Sequence, residues 1–355
     1  MRDVYFYEGK VPLNANLVRS LLVTFSILTS LNSLAVDFFG YYGTYINGVA
    51  GDSSKNSDAV EARFKALRPV SNTVYIRGES AQDVLAKLKI AQQLGMAAIV
   101  NVQHILFPWK SALICSSANC LTDYRMAFWQ FHEAIKAYDY MIAAYFIFDE
   151  PYWNNYLGSI HQVPYVSTWN QNVYWNLYAA IDAVKTFAPN KPTAIVFSFA
   201  EVQGLAGAFQ WFIPTNLDWI GFDGYLAAGC DDNCVVNEFN TFVSISKRSG
   251  QKIMVFPDSY WNTTPNSTEV EYLLNRIQLW KQLIAQNSSR IVAVLPFIYQ
   301  SDLSINLVGA EAIPEVKSCL GAYYQKLIGQ AACSNGNLIS LRDPSLFCAG
   351  DWSCR

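Results

Sequence analysis

The sequence predicts a (β/α)8 barrel, or TIM barrel, spanning residues 36–330. Three observations support this fold: eight runs of strand length, their mostly continuous apolar character, and helical patterns between them. Continuous apolar strands are typical of a parallel sheet covered on both faces. The runs are VDFFGYY (36–42), TVYIR (73–77), MAAIVNVQ (96–103), IAAYFIF (142–148), TAIVFSF (193–199), LDWIGF (217–222), KIMVFP (252–257) and IVAVLPFI (291–298).

Amphipathic patterns fill the intervals between these runs. The segment DYRMAFWQFHEAIKAY, residues 123–138, places its apolar residues on one helical stripe, and several other intervals do the same. Ser80 followed by Asp83, and Thr268 followed by Glu269, are typical of helix starts. No GxGxxG sequence follows the first run and no P-loop is present, so a barrel is favoured over a nucleotide-binding α/β sheet.

Both ends of the chain differ from the barrel. An uncharged apolar stretch, residues 20–35, follows Arg19 and ends in small residues, so we expect a secretory signal cleaved after Ala35. Asp3 and Glu8 are unusual in a signal, so either the true start lies further in or residues 1–35 are an uncleaved membrane anchor. Unless this segment is uncleaved, no stable membrane span is expected. The expected location is therefore secreted, extracellular or periplasmic.

The eight cysteines agree with export, since they fall into near-neighbour pairs that suit short disulfides. Residues 331–355 lack helical periodicity and are rich in cysteine, so we expect a short disulfide-stapled extension packed on the barrel. The expected pairs are Cys115/Cys120, Cys230/Cys234, Cys319/Cys333 and Cys348/Cys354.

Composition narrows the ligand. The net charge is -3 and no run of Lys or Arg occurs, so a nucleic-acid partner is not expected. There is no CxxC sequence and the three histidines lie far from the cysteines, so neither a metal nor a cofactor is expected. The chain holds 10 Trp, 21 Tyr and 21 Phe, more than a core needs, and aromatic rings suit the C–H faces of sugars. We therefore expect the protein to bind carbohydrate. We also expect it to be a monomer.

Polar residues follow most of the predicted strands. In a (β/α)8 barrel the active site lies at the carboxyl ends of the strands, so these residues should converge on one rim. We expect Glu201, after the fifth run, to cap a helix. The candidates for the site are Arg77, His104, Asp149, Glu150, Asp223, Tyr225, Asp258, Trp261 and Tyr299.

Paired carboxylates with aromatic platforms suit the cleavage of a glycosidic bond. One acid must be protonated to assist the leaving oxygen, and the other must be ionised to attack the sugar or activate water. Glu150 is the expected proton donor. The second carboxylate is Asp258, which the barrel should place opposite Glu150, or Asp223. Glu150, Asp258 and Asp223 are thus the candidate catalytic residues of a glycoside hydrolase.

The strand ends resemble those of the retaining (β/α)8 glycoside hydrolases of clan A. Arg77, His104, Asp149-Glu150-Pro151 and Tyr225 stand at matching positions. The resemblance implies that Glu150 is the acid/base, that Arg77 contacts the nucleophile and that Tyr225 hydrogen-bonds it. The remaining positions, Asp149, His104, Trp261 and Tyr299, would bind substrate.

The sequence departs from clan A at three strand ends. Asp149 replaces an Asn, Asp258 replaces the strand-seven Glu, and Tyr299 is nearest to the strand-eight Trp. A further interpretation uses the Asp149-Glu150 pair as in the family-20 hexosaminidases, where the Asp orients the substrate's own N-acetyl group. A different class is also open: a catalytically inactive barrel that binds carbohydrate or serves at the cell surface.

Overall fold

A computed structural model describes residues 36–42, 57–78, 80–108, 113, 118–152, 168–205, 211–226, 229–246, 250–301 and 306–335. The predicted signal or anchor at 1–35 and residues 336–355 of the predicted extension lie outside this part of the chain. Within it, no helix has the length and apolar character needed to cross a membrane. Cys230 and Cys234 form a disulfide, as predicted, and Cys319 is also disulfide-bonded. The other predicted pairs each include a side chain that is not described.

Eight parallel strands form the predicted barrel, and their order around the sheet is β1-β8-β7-β6-β5-β4-β3-β2. Because each strand lies beside its neighbour in sequence, the helices between them pack on the outside. The (β/α)8 prediction is therefore confirmed. The strands are β1 Phe38–Phe39, β2 Thr73–Arg77, β3 Ala97–Asn101, β4 Ile142–Asp149, β5 Thr193–Ser198, β6 Trp219–Asp223, β7 Lys252–Phe256 and β8 Ile291–Val294.

The barrel closes where β1 meets the start of β2. The Asn72 backbone N–H donates to Phe39 O at 3.0 Å, and Phe39 N–H donates to Asn72 Oδ1 at 2.8 Å. A Cβ added to Gly40 would lie 2.5 Å from Thr73 O, so the strands approach too closely for any larger residue. Backbone and side-chain hydrogen bonds thus join the two ends of the sheet.

The helices follow the predicted pattern. The Ser80 side chain accepts from Asp83 N–H, as expected of a helix start. The later helix start is two residues earlier than expected, because Asn266 forms a reciprocal capping box with Glu269. The helices are α1 Ser57–Leu67, α2 Ala81–Gln93, α3 Gln103–Leu106, α4 Ala118–Ile135, α5 Thr168–Phe187, α6 Phe199–Leu205, α7 Asp232–Ile245, α8 Ser267–Gln286 and α9 Pro314–Asn335; short 3-10 helices span Arg68–Val70, Lys136–Met141 and Ala310–Ala312.

Two apolar layers hold the barrel together. Alternate strand residues, among them Tyr75, Ile99, Phe146 and Met254, fill its interior. Their neighbours along the strands pack against the helices in a larger buried cluster. This alternation follows from the two-residue period of a strand, and it directs the polar residues at the carboxyl ends of the inner faces toward the barrel mouth.

A register shift in β4 decides which acid faces inward. Phe146 pairs with Ala194, but the next two pairings along β5 use Phe148 and Asp149. One additional β4 residue is therefore accommodated, as in a β-bulge. Strict alternation from Phe146 would direct Phe148 inward, whereas the shift turns Phe148 toward the helices and gives Asp149 the inner face.

Candidate active site

The turn after β4 supplies two neighbouring acids. Asp149 is the last residue of the strand, and Glu150 has φ +47°, in the left-handed region. That conformation costs a non-glycine residue on the order of 1–3 kcal/mol, so surrounding contacts must hold it. The Glu150 N–H donates to Val196 O at 3.0 Å. Because the strand ends between the two acids, strand alternation does not separate their side chains, and both lie at the mouth.

The Asp149 carboxyl is buried, but its pKa is raised less than the pKa values of Glu150 and Asp223. Burial raises the pKa of Asp149 to about 6, while a hydrogen bond from Tyr42 and the charge of Arg77 act in the opposite direction. Its backbone N–H donates to Gln103 Oε1 at 3.2 Å. Its Oδ1 atom is buried without a hydrogen-bond partner. Asp149 thus offers a free acceptor to anything bound in the mouth.

The Glu150 carboxyl, by contrast, tends to stay protonated. Burial raises the pKa of Glu150 well above its ordinary value, and the charges of Asp223 and Asp149 add to this effect. A carboxyl in such surroundings favours the neutral acid, which is the form that donates a proton.

Asp223 ends β6 and is buried beside Glu150. Burial and the charges of Asp149, Glu201 and Asp258 raise its pKa well above the ordinary value. Tyr225 follows two residues later, and a hydrogen bond from its buried hydroxyl acts in the opposite direction on the pKa of Asp223. Within the described residues, no group of His, Cys, Asp and Glu side chains is arranged to hold a metal ion.

Asp258, after β7, is fully engaged by protein contacts. Its Oδ1 accepts from Leu226 N–H at 2.8 Å, and its Oδ2 accepts from Arg276 Nε at 3.0 Å and Trp280 Nε1 at 3.3 Å. Arg276 is completely buried and also donates to the carbonyl of Gly224 at 2.8 Å. Asp258 therefore lies where expected, but its carboxylate binds the loop after β6.

Arg77 and His104 contact each other, as their matching strand-end positions suggest. Arg77 Nη2 is hydrogen-bonded to His104 Nε2. An arginine only donates hydrogen bonds, so His104 Nε2 is the acceptor in this contact. Arg77 Nε is buried without a partner. Arg77 remains the cation whose charge acts on Asp149.

Aromatic rings line the rest of the mouth. Phe297 packs against Tyr42 at 5.8 Å, against Tyr225 at 5.1 Å and against Tyr260 at 5.1 Å between ring centroids. Burial is the main reason why the pKa of Tyr260 is raised, and the charges of Asp258, Asp223 and Glu150 raise it further. These rings therefore surround the acids.

Two aromatic residues expected at the mouth lie elsewhere. Trp261 packs against Tyr272 of α8, with ring centroids 6.4 Å apart. Tyr299 packs against Tyr41 at 5.0 Å within the helix-facing core. The reason is strand geometry: adjacent extended residues point to opposite sides, so Tyr260 rather than Trp261 faces the acids.

Four functional candidates were not selected from the sequence: Tyr42, Tyr260, Phe297 and Glu201. Tyr42 is the last residue of the first apolar run, and Tyr260 lies two residues after Asp258. Side chains two residues apart in an extended segment point to the same side, so counting two residues on from Asp258 could have identified Tyr260. Glu201 was expected only to cap a helix, and its further contact, with the Tyr152 backbone, spans 49 residues of sequence.

The fold and the mouth together define a (β/α)8 barrel with buried acids and aromatic rings at the carboxyl ends of its strands. By sequence, no family model matches the chain, and no curated protein matches it. Solved structures of glycoside hydrolases do match its fold.

One match is PbGH5A, a glycoside hydrolase family 5 enzyme from Prevotella bryantii B14, with TM-score 0.57 and 13% identity over 83% of this chain and 97% of that one. A psychrophilic family 10 endo-β-1,4-xylanase has TM-score 0.57 and 10% identity over 79% and 96%. The β-glycosidase BGL167 has TM-score 0.54 and 11% identity over 77% and 87%. This likeness confirms the predicted fold.

Proposed function

We propose that this protein hydrolyses glycosidic bonds, with Glu150 as the proton donor. The proposal depends on the contrast between two consecutive carboxyls. Tyr42 and Arg77 favour ionised Asp149, whereas burial and neighbouring acids favour neutral Glu150. Glycosidic cleavage needs one carboxyl in each state. The glycoside hydrolases that share the fold support the same reaction class.

The proton of Glu150 moves to the glycosidic oxygen as the bond from that oxygen to the sugar C1 breaks. The leaving alcohol then departs neutral, which removes the cost of an alkoxide. Phe297 and Tyr225 are partly exposed and offer aromatic faces for the sugar C–H groups.

The second group is assigned from the free acceptors of the mouth. Asp258 has both oxygens engaged, and the surroundings of Asp223 favour its neutral form. Among these three acids, Asp149 is therefore the one best suited to act as the ionised group. Because Asp149 and Glu150 belong to one turn, we propose that both approach the sugar from the β4 side, which leaves the opposite face of C1 to a nucleophile from the substrate.

A 2-acetamido group on the sugar supplies that nucleophile. Its N–H fits Asp149 Oδ1, a buried atom that has no hydrogen-bond partner, and its carbonyl fits the hydroxyl of Tyr225, which lies beside Asp223. As the C1–O bond breaks, the acetamido oxygen bonds to C1, which closes a five-membered ring, and the acetamido N–H proton passes to Asp149. In the second step water attacks C1 and gives a proton to Glu150. The bond between C1 and the acetamido oxygen then breaks, and Asp149 returns its proton to the nitrogen. The proposed substrates are therefore N-acetylhexosaminides.

We also propose that the enzyme is exported. The uncharged apolar stretch at 20–35 and the paired cysteines support this location. An extracellular oligosaccharide or polysaccharide would then be the substrate.

The test compares p-nitrophenyl glycosides that differ only at carbon 2. We expect kcat/KM for an N-acetylhexosaminide to exceed that for the matched hexoside by at least about 10²-fold, the lower end of what a positioned reacting group contributes. Equal kcat/KM values for the two glycosides would contradict substrate assistance but would still support glycosidase activity. Oligosaccharide binding without any hydrolysis would favour the inactive carbohydrate-binding barrel.

A further inference from the structure

A buried glutamate outside the mouth joins two segments of the barrel. Glu201 lies in the first turn of α6 and is fully buried. Its Oε1 accepts from the Tyr152 backbone N–H at 2.6 Å. Its Oε2 accepts from the Ser198 backbone N–H at 2.7 Å and from Ser198 Oγ at 3.3 Å. The predicted helix cap is thus present, and the same carboxylate also reaches the turn after β4.

These contacts enclose the left-handed residue Glu150. On one side, the Glu150 N–H donates to Val196 O of β5. On the other side, Tyr152 is fixed by Glu201, and its hydroxyl donates to Phe212 O at 2.9 Å. Pro151 lies between them, and a proline disfavours the right-handed helical conformation for the residue before it.

We propose that Glu201 is a positioning residue that holds the Glu150 turn in its left-handed conformation and so aims the proton donor into the mouth. This inference rests on the proposed function. The Ser198 backbone that Glu201 holds pairs in register with Asp223, so one side chain sets the positions of Glu150 and its acidic neighbour.

The role requires a carboxylate. Glu201 receives three donors on two oxygens, and each oxygen takes a backbone N–H. A glutamine has the same shape, but its NH2 group would face one of those N–H donors and lose that bond. An aspartate is one methylene shorter and cannot span both segments.

The variant Glu201→Gln tests this role. We expect kcat to fall by about 10²-fold, as a misplacement of ~1 Å can cause, with KM within about threefold. The basic limb of the pH profile should move to lower pH, because a looser turn exposes Glu150 to water and burial is the main cause of its raised pKa. The titratable groups facing Glu150 are Asp149, Asp223, Tyr225, Tyr260 and Glu201.

Glu238→Gln is the matched control, because Glu238 Oε1 accepts from an exposed glutamine, Gln203, at 3.1 Å. It should change neither kcat nor the pH limb. Unchanged kcat and pH limb in a folded Glu201→Gln variant would overturn the proposal, as would a loss of activity that only follows the folded fraction.

Amide hydrogen exchange of the peptide containing Tyr152 separates this inference from the proposed function, since it needs no substrate. Faster exchange of this peptide in Glu201→Gln than in Glu238→Gln supports the positioning role of Glu201 even if no glycoside is cleaved. Equal exchange in the two variants overturns that role even if the enzyme is a glycosidase.

Discussion

Asp258 Oδ2 accepts a hydrogen bond from Arg276 Nε at 3.0 Å, and both side chains are buried. The same arginine binds Asp232 Oδ1 at 2.8 Å on α7. Asp258 therefore stabilises the loop after β6, which carries Tyr225, through an ion pair closed off from water. Its strand-end position had suggested a nucleophile, and its contacts favour a structural role.

Asp258→Asn should destabilise the fold more than it affects the chemistry. The change removes the buried partner of the Arg276 charge and leaves only the half-exposed Asp232, at a cost of up to about 3–5 kcal/mol in the free energy of unfolding. Urea unfolding measures that loss. Asp182→Asn is the control, because its pair with Arg125 at 2.7 Å is exposed and such pairs contribute about 0–1 kcal/mol. A fully stable but inactive Asp258→Asn enzyme would instead identify Asp258 as the nucleophile.

Glu150→Gln should lower hydrolysis according to the leaving group. The amide cannot donate a proton to the departing oxygen, so phenyl glycosides should lose about 10²–10⁴-fold in kcat/KM. Dinitrophenyl glycosides leave without protonation and should lose much less. Steady-state rates on both substrates provide the measurement. An equal loss on both substrates would argue against proton donation.

Tyr42→Phe should shift the acid side of the pH profile. The Tyr42 hydrogen bond lowers the pKa of Asp149, so its removal raises that pKa. Asp149 must be ionised to act, so the acid limb of kcat/KM should move to higher pH. Tyr145→Phe is the control, because it removes a tyrosine–aspartate bond of 2.9 Å, to Asp139, on the opposite face of β4. An unmoved limb in Tyr42→Phe would show that Asp149 does not control it.

The barrel could be predicted because its evidence is local. A buried parallel strand is apolar at every position, so each run identifies a strand without knowledge of its partner. The same reasoning located Asp149, Glu150, Asp223 and Arg77 at strand ends. These residues meet because the carboxyl ends of parallel strands share one rim.

The orientation of side chains could not be predicted in the same way. Alternation fails at β4, where the register shift turns Asp149 inward, and at Glu150, where φ is +47°. Asp258 resembled a site residue because its partner, Arg276, is 18 residues away on a helix. Glu201 acts on Tyr152 at a separation of 49 residues. Such contacts depend on the assembled barrel.

Stability should fall as the pH rises from about 4 toward neutrality. Burial raises the folded-state pKa of Asp149, Glu150 and Asp223 above ordinary values. Folding then favours their protonated forms, and this contribution is complete below the unfolded pKa and lost as the pH rises through the folded one.

For Asp149 the folded pKa of about 6 against 3.8 corresponds to on the order of 3 kcal/mol, lost roughly between pH 4 and 6. Urea unfolding should therefore give a larger free energy of unfolding at pH 5 than at pH 7.5. Asp149→Asn cannot ionise, so its stability should vary less over that range. A wild-type protein that gains stability between these two pH values would contradict the raised pKa values of the mouth acids. If the free energy of unfolding of Asp149→Asn changed with pH as much as that of the wild type, Asp149 would not contribute to this pH dependence.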